Sequence, residues 1–206
     1  MDKLKQLWEK LAKENSRYYI NSDKGKGITE KEFRISGKED YLRLIGTDNF
    51  LIRKGTILEI GCGTGRMTEW MLGVFDKIIG VDISGEMIKQ AKKRVKHQGN
   101  VELFETDGKT IPLKDNVVDV AFSYLVFQHM KDRKMVEANF KEVYRVLKKD
   151  GVFKVLLRTD KVDLKKWWGG VSYDDGSIKL LCKDTGFSII KTEKVKNHGV
   201  WLWLEK

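Results

Sequence analysis

Proline is nearly missing from this chain: Pro112 is the only one in 206 residues. That excludes polyproline recognition segments and stiff proline linkers. Cysteine is almost as scarce, and Cys62 and Cys182 lie far apart. Neither a Cys-x-x-Cys site nor a disulfide-built extracellular scaffold is expected from them. The three histidines, His97, His129 and His198, stand singly, so nothing falls at metal-ligand spacing and no metal is expected. No apolar run approaches the ~18 residues a membrane span requires. The opening residues alternate charges with Leu4, Leu7, Trp8 and Leu11, which reads as an amphipathic helix, not as a signal peptide or anchor. A cytoplasmic location with no membrane partner is the expectation.

Basic charge, by contrast, is abundant: 40 Lys and Arg against 30 Asp and Glu give a formal net charge of +10. Such an excess invites a nucleic-acid partner. The lysines, however, are interleaved with acids over 89–96, 141–149 and 161–166, the pattern of solvated helix faces. At 41% hydrophobic the chain can bury one good core, so we expect one domain, 55–206, behind an N-terminal helical extension, 1–54.

The most informative segment is a buried strand, Thr56–Ile60, running into Gly61-Cys62-Gly63-Thr64-Gly65. A helical pattern over 66–75 and a second strand over 77–81 follow, and that strand ends on Asp82. Closely spaced glycines let a backbone approach a ligand that side chains would block. An acid about 20 residues beyond the first glycine is placed to accept hydrogen bonds from ribose hydroxyls. The dinucleotide fingerprint needs its third glycine three residues after the second. Arg66 stands there instead, and Gly65 comes early. The spacing therefore favours a nucleoside ligand without a pyrophosphate over NAD.

Strand and helix patterns then alternate. Ser84 is an N-cap for a helix whose inner side is Met87, Ile88, Ala91 and Val95, and Asp132 caps another over 133–148. Strands are expected within 101–108 and at 117–124 and 152–157. A helix over 176–184 stops at Gly186, and strands over 187–195 and 199–204 form a hairpin through Asn197-His198-Gly199. Before the core, helices are expected over 3–14 and 38–44. This order predicts an α/β fold: a doubly wound, mostly parallel seven-stranded sheet with a C-terminal antiparallel hairpin. Its ligand would lie at the carboxyl ends of strands one, two and four.

Five segments in this order resemble the class I (Rossmann-like) S-adenosylmethionine-dependent methyltransferases, of small-molecule type. They are Ile57-Leu58-Glu59-Ile60-Gly61-Cys62-Gly63-Thr64-Gly65, Val101 to Gly108, Val117 to Tyr124, Phe127-Gln128-His129-Met130, and Tyr144 to Phe153. Asp150 stands where that family usually has a glycine, a departure confined to a turn. The resemblance implies S-adenosyl-L-methionine as cofactor and assigns roles. Glu59 organises the ligand's amino group, or serves structurally by bonding loop amides. Gly61, Cys62 and Gly63 bring backbone to the methionine portion, and Arg66 pairs with the ligand carboxylate or faces solvent. Asp82 takes the ribose, Ile83 and Met87 pack on the adenine, and Asp107 with the Gly108 backbone reads the adenine amino group. Ser123 and Tyr124 end strand four beside the sulfonium, where Phe127 faces the cation or joins the core. His129 is the candidate general base, with a structural histidine as the alternative. Trp167 and Trp168 line an acceptor pocket or pack a loop, Trp201 and Trp203 pack on the sheet, and the extension covers the cofactor as a lid or simply packs.

The expected function is methyl transfer to a small-molecule acceptor. Methylation of RNA or protein is the alternative suggested by charge. With a single proline there is no Asn-Pro-Pro-Tyr and no Pro-Cys sequence, which argues against the commonest nucleobase chemistries. A non-catalytic cofactor-binding regulatory module is a third reading, and an NAD-dependent oxidoreductase the last. Nothing in the residues specifies the methylated atom or the oligomeric state.

Overall fold

The structure is a computed structural model that describes residues 3–51, 54–96, 98–161, 165–166, 169–196 and 198–206. The chain forms two compact units, Met1–Asp107 and Gly108–Lys206. The tryptophans at 167 and 168, and Asn197 of the expected hairpin turn, lie outside the described residues.

In the first unit β1 (Thr56–Ile60), β2 (Lys77–Asp82) and β3 (Val101–Glu105) run parallel in the order β3-β2-β1. The register sets Glu59 beside Gly80 and Asp82 beside Glu105. β1 and β2 are buried over nearly their whole length, as strands covered on both faces should be. Parallel neighbours need crossovers. The second is α4 (Gly85–Arg94), capped by the Ser84 hydroxyl, which accepts from the Met87 N–H at 3.2 Å. Ile88 and Ala91, followed by Val95, pack with Cys62 and Leu103. The first crossover is shorter than the 66–75 pattern suggests: α3 spans only Thr68–Met71. Leu72 is already extended, at ψ 135°, and a left-handed Gly73 turns the chain toward β2.

The N-terminal helices also differ from the expectation. α1 covers Lys3–Ile20 with a kink at Asn15 (φ −164°, ψ 79°), and α2 covers Glu30–Tyr41 before a π-helical turn, Leu42–Gly46. A helix over 38–44 is therefore only the end of α2. Its start is a capping box: the Thr29 hydroxyl accepts from the Glu32 N–H at 3.3 Å, and the Glu32 carboxylate accepts from the Thr29 N–H at 2.9 Å. Gly37, which reads as a breaker, sits inside the helix for a packing reason. A Cβ there would overlap the Arg66 carbonyl oxygen, so only glycine lets α2 lie this close to the chain leaving the glycine loop.

In the second unit β4 (Val118–Ser123) pairs parallel with β5 (Leu147–Arg158). β7 (Gly199–Glu205) runs antiparallel to β5, and β6 (Ser188–Val195) antiparallel to β7, which makes the terminal hairpin. α5 (Arg133–Val146) is capped by Asp132 and α6 (Asp175–Thr185) by Asp174. Phe127, Phe140, Phe153 and Phe187 meet with ring centroids 5.3 to 6.2 Å apart. β5 starts earlier than the expected 152, directly after α5, and carries Asp150 at φ +64°. The full strand order is β3-β2-β1-β4-β5-β7-β6, the seven-stranded mixed sheet that the alternation of elements predicts. Among the described residues no helix is long and apolar enough to cross a membrane.

Candidate active site

The chain leaves β1 through a turn fastened to β2. The Gly61 and Cys62 N–H groups both donate to the Val81 carbonyl, at 2.8 and 3.1 Å, and the Gly65 N–H donates to the Cys62 carbonyl at 2.9 Å. Gly63 is held at φ +54°, which favours glycine, and a Cβ there would crowd the Ile20 Cδ1 at 3.1 Å. Its N–H donates to Asp82 Oδ2 at 2.9 Å, while the Ser84 N–H donates to Asp82 Oδ1 at 2.9 Å. The carboxylate at the end of β2 thus joins the glycine loop to the start of α4. The Ile83 N–H is a third backbone donor to this carboxylate, which offers roughly four lone-pair sites, so a ligand hydroxyl can still be accepted. Burial pushes the Asp82 carboxyl up to about 6, against the N–H groups of Ser84, Gly63 and Ile83, which hold it down; the Glu9 charge adds to the rise.

Glu59 is buried in β1 and accepts a hydrogen bond from the Thr68 hydroxyl at 2.5 Å, a side chain and not a loop amide. Burial pushes it up to about 7, opposed by Thr68 and Arg66 and assisted by the Asp82 charge. Arg66 does not face solvent. It is buried, with Asp40 Oδ2 at 2.8 Å, the Ser36 hydroxyl at 3.3 Å and the Phe33 ring 5.9 Å away, all on α2. The Cys62 thiol is buried, and burial followed by the Asp82 and Glu59 charges pushes its pKa well up, so the thiol is a small apolar group and only the backbone serves the loop. Ile83 is half-buried beside Asp82, and Met87 is fully buried on α4.

Two residues escaped the sequence reading. Arg94 donates to the Thr64 carbonyl at 2.9 Å and pairs with Glu30 at 2.7 Å and Glu69 at 3.3 Å, clamping the loop to α2 and α3. Glu9 of α1 accepts from the Ser84 hydroxyl at 2.8 Å and the Glu86 N–H at 3.2 Å. Neither carries a local signal, because each acts on residues far along the chain.

Asp107 closes the first unit and is exposed. In the second unit, Gly108 has φ +75°, and its carbonyl accepts from the Asn139 amide at 2.6 Å. Ser123 is buried at the end of β4, and Tyr124 stacks on Trp201 with ring centroids 5.6 Å apart. Phe127 is 1% exposed and belongs to the phenylalanine core, which settles its two readings in favour of packing. His129 follows on a 3-10 turn, Phe127–His129, with its Nε2 3.3 Å from the Gln128 amide nitrogen. With that amide donating, the neutral ring carries its proton on Nδ1. The Gln128 carbonyl in turn accepts from Arg158 at 3.3 Å, and a Cβ on Gly170 would overlap it. Among the described residues no group of three or more His, Cys, Asp or Glu side chains is arranged to hold a metal.

The structure therefore gathers Glu59, Gly61, Cys62, Gly63, Arg66, Asp82, Ile83 and Met87 around one loop of the first unit. Residues 58–155 match the family model described as a methyltransferase domain. A malonyl-[acyl-carrier protein] O-methyltransferase of Hamiltonella defensa is 31% identical over 132 residues, 63% of this chain and 49% of that protein. An uncharacterised protein of Methanocaldococcus jannaschii is 39% identical over 151 residues, 72% of this chain and 65% of its own. Among solved structures, the N-methyltransferase NodS of Bradyrhizobium japonicum in complex with S-adenosyl-L-homocysteine superimposes with a TM-score of 0.72 at 15% identity, covering 100% of this chain and 99% of that one. The chain spans about half the length of the first curated relatives it matches. Residues 58–155 thus carry a methyltransferase domain, and these likenesses support a class I S-adenosylmethionine-dependent methyltransferase with S-adenosylmethionine as cofactor.

Proposed function

We propose that this chain transfers the methyl group of S-adenosylmethionine to a small-molecule acceptor. The observation that carries the reading is the Asp82 carboxylate at the end of β2, held beside the glycine loop by the Gly63 and Ser84 N–H groups, where an acid can accept from ribose hydroxyls. Gly61, Cys62 and Gly63 offer backbone to the amino-acid tail of the cofactor, and Ile83 offers apolar surface to its base. Arg66, engaged by Asp40 and Ser36, and Glu59, engaged by Thr68, fix the shape of the loop. Asp107, Gly108, Ser123 and Tyr124 complete the proposed cofactor residues.

The cofactor supplies a methyl group activated by a sulfonium whose leaving group is a neutral thioether. What remains for the protein is to hold a nucleophile in line with the methyl–sulfur bond and to exclude water, a contribution mainly of position. His129 is the proposed base for acceptors that must lose a proton. Gln128 occupies its Nε2 lone pair, so the role requires that amide to turn away when the acceptor enters. The relatives named above carry oxygen and nitrogen methylation in their names, so the methylated atom is not inherited from them. We place the protein in the cytoplasm, supported by two buried free cysteines. Residues 1–54 we read as an extension over the cofactor end of the first unit.

Incubating the protein with S-adenosylmethionine and a panel of hydroxyl, amine, thiol and activated-carbon acceptors, and measuring S-adenosylhomocysteine release, tests this reading. Turnover on a small molecule supports it. Turnover confined to RNA or protein sinks it in favour of the reading that the net charge of +10 motivates, and a steep salt dependence of binding would accompany that outcome.

A further inference from the structure

The N-terminal helix carries a carboxylate that the methyl-transfer reading does not use. Glu9 Oε2 accepts from the Ser84 hydroxyl at 2.8 Å and from the Glu86 N–H at 3.2 Å, and its Oε1 lies 3.3 Å from Lys13. A carboxylate at the first turn of α4 is favourably placed against the helix dipole. Ser84 is the link to Asp82: its hydroxyl donates to Glu9 and accepts from the Met87 N–H, while its own N–H donates to Asp82. A serine has one hydroxyl proton, so Glu9 fixes the direction in which it points.

The rest of α1 follows the same line over the strand ends. Lys5 pairs with Glu105, the register neighbour of Asp82. Gln90 donates to the Ala12 carbonyl at 3.3 Å and accepts from the Ser16 hydroxyl at 2.7 Å. Past the kink at Asn15, Ile20 lies against Gly63. One helix thus touches two of the groups that bond Asp82, Ser84 through Glu9 and Gly63 through its last residue, Ile20.

We propose that Glu9 is a positioning residue for Asp82, tying α1 to the ribose-binding carboxylate through Ser84, so that docking of α1 and binding of the cofactor reinforce each other. This rests on the cofactor reading above. Reinforcement of this kind is reciprocal: whatever loosens α1 must weaken the cofactor by the same factor.

Charge gives the idea a second readout. Asp82 is faced by Glu9 with Lys13 from α1, Glu59 from β1, Cys62 and the Gly63 N–H from the loop, Glu105 with Lys5 beside β3, and the N–H groups of Ile83 and Ser84. Burial is the main cause that lifts Asp82, and the Glu9 charge lifts it further. Neutralising Glu9 therefore lets Asp82 stay ionised to lower pH, even as the lost tie weakens binding at neutral pH. A scaffolding residue gives no such opposed pair of effects.

The test is calorimetric binding of S-adenosylhomocysteine by the full chain, with hydrogen exchange on the same samples. Glu9→Ala is expected to bind roughly tenfold more weakly at pH 7.5, a loss of about 1.4 kcal/mol, with faster exchange confined to residues 3–14. Glu9→Gln is expected to move the acid midpoint of binding below that of the wild type. Glu9→Ala with Ser84→Ala should be no weaker than the worse single variant, because both cut one connection. Wild-type affinity and an unmoved midpoint in both Glu9 variants, or losses that multiply in the double variant, overturn the proposal while leaving the cofactor reading intact. A wild-type protein that binds no S-adenosylhomocysteine overturns both.

Discussion

Within its strands the first unit encloses acids, and the second encloses bases. Glu59 and Asp82 are met by a hydroxyl and by backbone N–H groups at 2.5 to 2.9 Å. In the second unit, Arg158 reaches the Gln128 carbonyl at 3.3 Å, and Lys154 lies over the Trp203 and Trp201 rings at 4.5 and 5.1 Å. Backbone donors hold an acid in one geometry dictated by nearby residues. Cations over carbonyls and rings take their geometry from packing between distant strands. The first arrangement suits fixed recognition of a ligand, as the proposed binding of the cofactor at Asp82 requires.

Removing the pivotal acid should break that contrast most completely. Asp82→Ala deletes the acceptor of two loop bonds and of the proposed ribose bonds. Hydrogen bonds to a charged group are worth about 1.5–3 kcal/mol each, so S-adenosylhomocysteine affinity should fall by about 100-fold or more in calorimetry. Gly37→Ala is next. Its methyl would overlap the Arg66 carbonyl in a rigid helix contact, and overpacking of this kind costs about 3 kcal/mol, readable as a lowered denaturation midpoint.

Acidity sharpens the comparison further. The folded Glu59 carboxyl lies at about 7 against an ordinary 4.5, and Asp82 at about 6 against 3.8, both chiefly through burial. Raised carboxyls make the folded state hold more protons than the unfolded one across this window. Their stabilising share is full below the ordinary values and is lost as pH rises through the folded ones. The protein without cofactor should therefore melt at lower temperature at pH 7.5 than at pH 5.5. Glu59→Gln, permanently neutral, should flatten the slope. Cofactor binding should run the opposite way, weakening below about pH 6 as Asp82 takes up a proton. In the second unit the smallest effect is a gain: Asp150 holds a left-handed φ of +64°, and Asp150→Gly should raise stability by about 0.5–1 kcal/mol in urea denaturation.

Much of this was legible in the chain because short spacing governs it. Three close glycines before a strand ending in Asp82, the Ser84 and Asp132 caps, and the Gly186 stop before the last two strands each depend on neighbours within a few residues. Other features were hidden for opposite reasons. The Thr29 and Glu32 box marks the start of α2, but Gly37 hides the helix by serving a contact with a residue far along the chain. α3 is cut to a single turn by Gly73, which a helical period does not weigh. Glu9 and Arg94 look like solvent-facing charges on amphipathic helices. Their partners lie 75 and 30 residues away, at Ser84 and Thr64, distances over which periodicity carries no information.

A crystal structure of the protein grown with S-adenosylhomocysteine tests the account most directly. We predict both ribose hydroxyls on the Asp82 carboxylate, with the amino-acid tail along the backbone of Gly61 to Gly63. Density for the ligand elsewhere, or a dinucleotide displacing it from Asp82 in competition, would contradict the account.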